Sequence, residues 1–410
     1  MSVEHLSVQP QVTEGLSTTS LTLRQRLLQR LARHANVGQI SIMWPDGSRW
    51  NHVGAAPGPD AELHLHRDRA VTRLALGGDV GFAESYIDGD WDSPDLFRLL
   101  AFGVANLEPM DGIFTAKLVN AFWNRCRHAL RANTLKGSRR NIAFHYDLGN
   151  EFYSHWLDRT MSYSSALFVD HNEDLDAAQH EKYCRLAEAV GLQQESRVLE
   201  IGCGWGGFAE TAIRDYGSYV VGLTLSTEQR NFAQERLQKA EFSEQAEIRL
   251  QDYRNVSGLF DAVISIEMFE AIGEENWHTY FEKLRSVLRP GGKVGIQVIT
   301  INEDRYHAYR DRPDFIQKYI FPGGMLPSPE RFEKTATTAG FEIGDRFFFG
   351  ASYAETLRRW HERFEAQWPA IENLGFDKRF YRMWRYYLAY CEAGFQSGPL
   401  NVAQYTLIRS

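Results

Sequence analysis

The segment VLEIGCGWGGF carries the densest chemical signal in the chain: an acid, Glu200, closes an apolar run, and Gly202, Gly204 and Gly206 follow at every second position. Glycines let a backbone turn sharply and come close to a ligand, and a helix start just beyond them offers free N–H groups. Such a loop suits a nucleotide-type ligand. Its E-x-G-x-G-x-G spacing differs from the dinucleotide pattern G-x-G-x-x-G, and no G-K-[ST] is present to cradle phosphate. In LQDYRN, Asp252 is placed to accept a hydrogen bond from an adenine amine and Tyr253 to cover the ring. VVGLTLSTEQR has no carboxylate where dinucleotide sites grip ribose hydroxyls, which leaves Thr224, Ser226 and Gln229 as substitutes. Together these features point to a methyl donor, S-adenosylmethionine.

The elements that must position this loop are regular after Arg197. RVLEIG, YVVGLTL, AEIRL, FDAVISIEMF and GKVGIQVIT read as short buried strands, separated by helical stretches such as STEQRNFAQERLQKA and NWHTYFEKLRSVL. Strands alternating with helices predict a doubly wound α/β sheet. Residues 353–395 read as helical and rich in aromatic side chains, before a last strand, QYTLIRS. Upstream, GQISIMW and AELHLH, separated by the turn signals PDG and APGPD, predict a small unit of strands and hairpins, and a helix opens near Asp95.

The chain has 410 residues, 45 Lys and Arg against 53 Asp and Glu, and a net charge of −8. That balance gives no bulk attraction to nucleic acid. Cys126, Cys184, Cys203 and Cys391 stand far apart without a CxxC pair, which argues against zinc and against a disulfide framework, and fits a reducing cytoplasm. No metal is expected. No signal peptide and no apolar run long enough to span a bilayer is present. Two stretches are basic. In LRQRLLQRLARH, Leu23, Leu27, Leu28 and Leu31 fall at helical spacing among Arg24, Arg26, Arg30 and Arg33, as in a surface helix packed on its own domain or one lying on anionic lipid. Between Asn124 and Arg140 six basic residues occur without an acid, as in a solvated linker or a lipid-phosphate contact.

HYDLGNEFYSHWLDRTMSYSSALF, VLEIGCGWGGFAE, VVGLTLSTEQ, QDYR, MFEAIG, KYIFPGGMLPS and YYLAYCEAGF, in this order, resemble the cyclopropane-fatty-acyl-phospholipid synthase family over about residues 75–410. The resemblance implies a Rossmann-like class I methyltransferase domain with a small N-terminal α+β domain and helical C-terminal insertions. Ser, Thr and Gln mark a flexible tail (1–20) and charge marks a basic linker (124–140), and the resemblance implies a lipid-engaging domain (21–123) before the linker and a catalytic domain (141–410) after it. It implies transfer of a methyl group to the cis double bond of an unsaturated acyl chain in a phospholipid bilayer, by a homodimer attached to the inner face of the membrane. Carried over residue by residue, Tyr163, Ser164, Glu200, Ile201, Gly202, Cys203, Gly204, Gly206, Thr224, Leu225, Ser226, Gln229, Asp252 and Tyr253 would hold S-adenosylmethionine.

An alkene is a weak nucleophile, so sulfonium and alkene must meet in a dry site where a carbocation is stabilised by ring faces and carboxylates. A proton must then leave. The resemblance implies a bound bicarbonate as base, held by Glu270, Ile299 and Tyr353. This chain departs from the family pattern where Ser165 replaces Cys, Gln297 replaces His and Ala271 replaces His. Glu267, close before Glu270, is either an ion-pair partner or a replacement base, and Cys391 is read as a packing thiol rather than a nucleophile. The product is a cyclopropane or a methyl-branched chain. Two other readings are N-methylation of a small amine, as in plant relatives of the family, and a silent lipid-binding protein.

Overall fold

The computed structural model describes residues 21–107, 148–170 and 173–409. The tail expected at 1–20 and the basic run at 124–140 lie outside the described residues, as do residues 145–147 of the HYDLGN motif. The chain divides into two compact units, one of Met1–Asn120 with Asp377–Ser397 and one of Ala121–Phe376 with Gly398–Ser410.

In the first unit, α1 (Leu23–Ala32) starts at Thr22 with a reciprocal capping box to Gln25. Leu28, Leu31 and Ala32 are buried, so the helix packs on its own unit, while Leu23 is 82% exposed beside the exposed Arg24, Arg26, Arg30 and Arg33. Strands β1 (Val37–Met43), β2 (Arg49–Val53) and β3 (Ala56–Leu65) follow, then α2 (Arg69–Ile87), β4 (Trp91–Asp92) and α3 (Leu96–Ala105). The sheet order is β2-β1-β3-β4. Asp95 caps α3 by accepting from the Arg98 amide at 2.9 Å, at the helix start read from the sequence. Helix α2 kinks at Gly78 (φ 58°), and the kink brings Gly81 against the preceding half: a Cβ there would lie 2.1 Å from the Arg73 carbonyl oxygen.

The second unit contains α4 (Asn150–Ser154), α5 (Leu175–Val190), β5 (Arg197–Ile201), α6 (Gly207–Tyr216), β6 (Tyr219–Thr224), α7 (Thr227–Lys239), β7 (Ala246–Leu250), β8 (Phe260–Ile266), α8 (Trp277–Val287), β9 (Leu288–Ile301), α9 (Glu303–Asp311), α10 (Pro329–Thr338), β10 (Phe341–Phe348), α11 (Gly350–Asn373) and, after the excursion of α12 (Lys378–Gln396), β11 (Leu400–Arg409). The sheet order is β7-β6-β5-β8-β9-β11-β10. Neighbours from β7 to β9 are parallel, and β11 runs antiparallel to both β9 and β10. Alternation of side chains along each strand sends Val198, Ala262 and Ile264 into a core with Leu186, Phe208 and Leu237, and Leu199, Ile201 and Val263 into another with Phe281, Leu284 and Phe332. Both sheet faces are therefore covered, as the alternating pattern predicted.

One boundary differs from the sequence reading. The stretch 353–395 is not one body: α11 ends before Gly375 (φ 99°), and α12 belongs to the first unit. The cause is a specific anchor. Arg382 donates to the carbonyls of Tyr86 (2.6 Å) and Trp91 (2.8 Å) and to Asp92 (2.9 Å), and Tyr386 packs on Tyr86 with ring centroids 5.7 Å apart.

Gly81→Ala should lower stability by about 1–3 kcal/mol, the usual cost of forcing extra volume into a packed site. Gly77→Ala, where a Cβ meets nothing within 4 Å, should cost nothing or stabilise slightly. Urea unfolding of the two variants checks this, and equal midpoints would show that the kink does not depend on the close contact.

Candidate active site

The sheet's C-terminal strand ends gather the site, as open α/β sheets require of a ligand crevice. At the end of β5, Gly202, Gly204 and Gly206 have φ of 84°, 51° and 85°. A Cβ at Gly202 would strike Met268 at 2.9 Å and one at Gly206 would press on Ala233 at 3.0 Å, so the protein itself demands those two glycines. At Gly204 a Cβ meets no protein atom within 4 Å. That middle glycine combines a left-handed backbone with an open approach, which is the use a ligand makes of it. Glu200 is 3% exposed and its Oε2 has no hydrogen-bond partner. Burial pushes its carboxyl up to about 8, opposed by Lys182. A buried acceptor without a donor, beside an open glycine and the start of α6, fits a polar ligand such as S-adenosylmethionine.

Other cofactor candidates are placed less directly. Thr224, Ser226 and Gln229 close a local knot: Thr224 donates to Gln229 Oε1 at 2.8 Å, and Ser226 caps α7 by accepting from the Gln229 amide at 3.3 Å. Leu225 lies within it, partly exposed, and Ile201 and Cys203 are buried beneath the loop, where burial raises the Cys203 thiol well above its ordinary value. Asp252 is bound on both oxygens by the Arg254 guanidinium, at 2.9 and 2.8 Å. Tyr253, read from the sequence as a cover for adenine, is only 8% exposed and packs edge-on against Tyr280 in the apolar core. Its aromatic area is better buried there than left on the surface.

The catalytic candidates converge on Glu267. This residue follows β8 with φ 49°, a backbone that costs a non-glycine residue about 1 kcal/mol or more and that turns its carboxyl inward. Oε1 accepts from the Ser165 amide (2.8 Å) and from Gln297 Nε2 (2.8 Å), and Oε2 from the Tyr353 hydroxyl (2.7 Å). Gln297 also donates to the Ser165 carbonyl at 3.3 Å and accepts from Gln404 at 3.1 Å. Its amide thus locks the segment 161–168 to β9 and β11. Ser165, Gln297 and Tyr353, read from the sequence as members of a bicarbonate site, have their donors taken by the chain's own carboxylate, so this donor set does not fit a separate anion. Glu270 lies near: Oε1 accepts from the Ile299 amide at 2.5 Å, and Oε2 is buried without a partner. Cys391 is not part of this group. It is a half-buried thiol on α12, in the first unit.

Lys182 escaped the sequence reading. It is fully buried, donates to Ser164 Oγ at 2.8 Å, and feels Glu267, Asp158 and Glu200. Burial lowers its ammonium to about 8. A signal existed: Leu175, Ala178, Gln179, Lys182, Tyr183, Leu186 and Val190 recur at helical spacing, so a lysine sits on the buried stripe of α5. Gln404 likewise went unread, although it ties Arg185, Lys182 and Gln297 together.

Two acids in one pocket take different roles when their surroundings differ. Three donors and the nearby Lys182 favour the ionised form of Glu267 against the burial that raises it. Glu270 has one backbone donor and an anionic neighbour, and burial pushes it up to about 8. Burial thus favours a proton on Glu270 at neutral pH, while the donors around Glu267 oppose the rise that burial gives it. Around them stands an aromatic wall: the Tyr163 ring lies 5.4 Å from Tyr153, 5.5 Å from Trp156 and 5.5 Å from Trp360, and Tyr353 meets Trp360 edge-on at 6.4 Å. Such faces favour positive charge.

A mostly parallel seven-stranded sheet with one antiparallel strand beside its edge, and an acid-glycine loop after the interior strand β5, defines an S-adenosylmethionine-dependent methyltransferase. The chain belongs to the mycolic acid cyclopropane synthetase family, whose model matches residues 133–405. It is 42% identical to a tuberculostearic acid methyltransferase of Mycobacterium tuberculosis, over 96% of this chain and 92% of that one. To the cyclopropane-fatty-acyl-phospholipid synthase of Escherichia coli K12 it is 35% identical, over 87% and 89%. Among solved structures, a mycolic acid cyclopropane synthase complexed with SAH and CTAB matches 66% of this chain and 98% of its own at 29% identity, with a TM-score of 0.62. The relatives act on lipids, and S-adenosylmethionine is the cofactor. Among the described residues no helix is long and apolar enough to cross a membrane.

Gly204→Val should abolish S-adenosylmethionine binding by calorimetry while the protein stays folded, since a Cβ there meets no protein atom within 4 Å and the strain of an L residue at φ 51° costs only about 1–2 kcal/mol. Undiminished affinity would show that the loop does not hold the cofactor. The proton on Glu270 has its own consequence. A carboxyl raised from 4.5 to about 8 contributes stability that is complete below 4.5 and lost as pH rises through about 8. Glu270→Gln keeps an acceptor for the Ile299 amide without titrating. Its melting temperature should gain on the parent's between pH of about 5 and about 9, and a gap that does not change with pH would mean that Glu270 is not held protonated.

Proposed function

We propose that this enzyme transfers the methyl group of S-adenosylmethionine to the cis double bond of an unsaturated acyl chain in a phospholipid, and that Glu267 takes the place of bicarbonate as the base. The observation that carries the proposal is the convergence of Ser165, Gln297 and Tyr353 on the Glu267 carboxylate, at 2.8, 2.8 and 2.7 Å. Three of the six positions of the family's bicarbonate pattern, Ser165, Gln297 and Tyr353, hold this side chain.

When bound, the cofactor supplies an electrophilic methyl group to the alkene. The chain's residues do the rest. Trp156, Tyr163 and Trp360 offer ring faces to the developing carbocation and exclude water, which would otherwise capture it. Glu267 stabilises the cation across a dry gap and accepts the proton that must leave. Lys182, through Ser164, balances the buried anion and keeps it ionised before the proton arrives. Its three hydrogen bonds also restrain Glu267 from attacking the cation itself.

The phospholipid substrate is supported by the name of the Escherichia coli relative, at 35% identity. The product we assign is acyclic: a hydride shifts to the cationic carbon, the new methyl loses its proton to Glu267, and a methylene branch remains. The 42% identity to a tuberculostearic acid methyltransferase, higher than that to the cyclopropane enzyme, supports this choice. The enzyme works as a homodimer on the inner face of a bilayer, where the exposed Leu23 and the arginines of α1 meet anionic lipid.

Mass spectrometry of phospholipids from a host making this chain should show one CH2 unit added to monounsaturated acyl groups, with an exocyclic methylene rather than a cyclopropane by proton NMR. Purified enzyme should not respond to added bicarbonate, and Glu267→Gln should lower kcat by about 10²–10⁴, the usual worth of a positioned base, with cofactor affinity unchanged. Dependence on bicarbonate, or full activity of Glu267→Gln, would overturn the assignment of the base, and unmodified lipids would overturn that of the substrate.

A further inference from the structure

We propose that His180, Cys184 and Asp215 form a binding site for a single transition-metal dication of the zinc type, on the outer side of α5 and α6. His180 and Cys184 stand four residues apart on α5, on one face of the helix, and Asp215 lies near the end of α6. Their ligand atoms all lie within 4.8 Å of one another, and among the described residues this is the one group of three such side chains within reach of a common ion. His180 Nε2 is 2.7 Å from Asp215 Oδ2 and 3.5 Å from Cys184 Sγ.

Those separations suit a tetrahedral ion. Bonds of about 2.0–2.1 Å to nitrogen and about 2.3 Å to sulfur put neighbouring ligand atoms roughly 3.3–3.6 Å apart. The sulfur–nitrogen distance already matches, the histidine–aspartate pair has to open from a hydrogen bond to a shared ion, and the sulfur and the carboxylate stand within 4.8 Å of each other. Imidazole, thiolate and carboxylate together select a d-block ion over magnesium or calcium, which take oxygen ligands. Three protein ligands leave a fourth position for water. The side chains of His180 and Asp215 are 49% and 30% exposed, so an ion has a path in. Binding displaces the Cys184 proton, so one proton is released per ion bound there.

The absence of a CxxC pair does not exclude this site, because its donors come from one turn of α5 and from the far end of another helix. The ion would fasten α5, which carries Lys182, to α6, which opens at Gly207 directly after the cofactor loop. A tie between these helices exists already, where the Tyr216 hydroxyl donates to the Cys184 carbonyl at 3.3 Å.

The test uses the full chain, stripped by a chelator and titrated with cobalt(II). One ion should bind per chain, with a thiolate-to-cobalt charge-transfer band in the near ultraviolet that zinc then bleaches. Cys184→Ser should remove the band and Cys391→Ser should keep it. Asp215→Asn, a surface change that leaves the chelated protein's melting temperature in place, should weaken affinity by more than roughly tenfold, because losing a direct ligand costs at least as much as losing an outer partner. Zinc should raise the melting temperature of the parent and not of Cys184→Ser. No thiolate band, or a band that survives Cys184→Ser, overturns the site.

Discussion

The second unit is organised around one costly object, a carboxylate buried away from water. Moving an ionised carboxyl into an apolar interior costs several kcal/mol unless it is hydrogen-bonded and balanced by charge. Glu267 has both. Its three donors come from three separate parts of the chain: the segment before α5, strand β9 and helix α11. Lys182 brings the opposite charge from α5. Each donor is in turn held: Gln297 by Gln404 on β11, and the 161–168 segment by Thr356 and Ser352 of α11 through the amides of Ala166 and Phe168. A network of this kind tolerates no half-measures, since one missing partner leaves a buried charge uncompensated. The positive φ at Glu267 is maintained by the same network, because no local interaction would keep a glutamate there.

The cofactor side is built on the opposite principle. Around Glu200 the protein leaves an acceptor unsatisfied and a glycine facing no protein atom. The polar demand there is left for a ligand to meet. Satisfaction at Glu267 and deficit at Glu200 lie on neighbouring strands of one sheet, β8 and β5, and together they separate the group that must persist through turnover from the surface that must exchange its occupant.

The parts of this site that were legible in the sequence are the local ones. E-x-G-x-G-x-G is read along one strand-turn-helix, and its glycine φ values follow from that turn. Six of the seven strands of the second unit were legible from their apolar runs, β10 having gone unread, and so were the helices that start near Asp95 and Ser226. What stayed hidden is non-local. The replacement at Gln297 reads as a loss when taken alone; only its side-chain contact with Glu267, 30 residues away in sequence, joined there by the backbone amide of Ser165, 102 residues away, shows where its donor goes. Helix α12 was assigned to the catalytic part because it is next in sequence, yet its allegiance is set by Arg382 and by carbonyls some 290 residues upstream. The packing of Tyr253 against Tyr280 was not legible, because a ring before a turn looks the same in sequence whether it lids a ligand or fills a core.

Tethering the base changes the chemistry as well as the architecture. A bound bicarbonate must be captured at each vacancy and is held only as tightly as its donors allow, whereas a side chain has an effective concentration set by the fold, which for well-aligned groups exceeds any attainable concentration of a free anion by orders of magnitude. The cost is freedom of position. A carboxylate fixed by three hydrogen bonds on a strained backbone cannot drift towards whichever proton becomes acidic first; it accepts the one that the bound chain presents to it. A diffusible base therefore suits a pocket that closes a ring wherever the cation forms, and a tethered base suits one in which the site of proton loss is prescribed. On the proposal that Glu267 is the base, its fixation by Ser165, Gln297 and Tyr353 puts this chain in the second class.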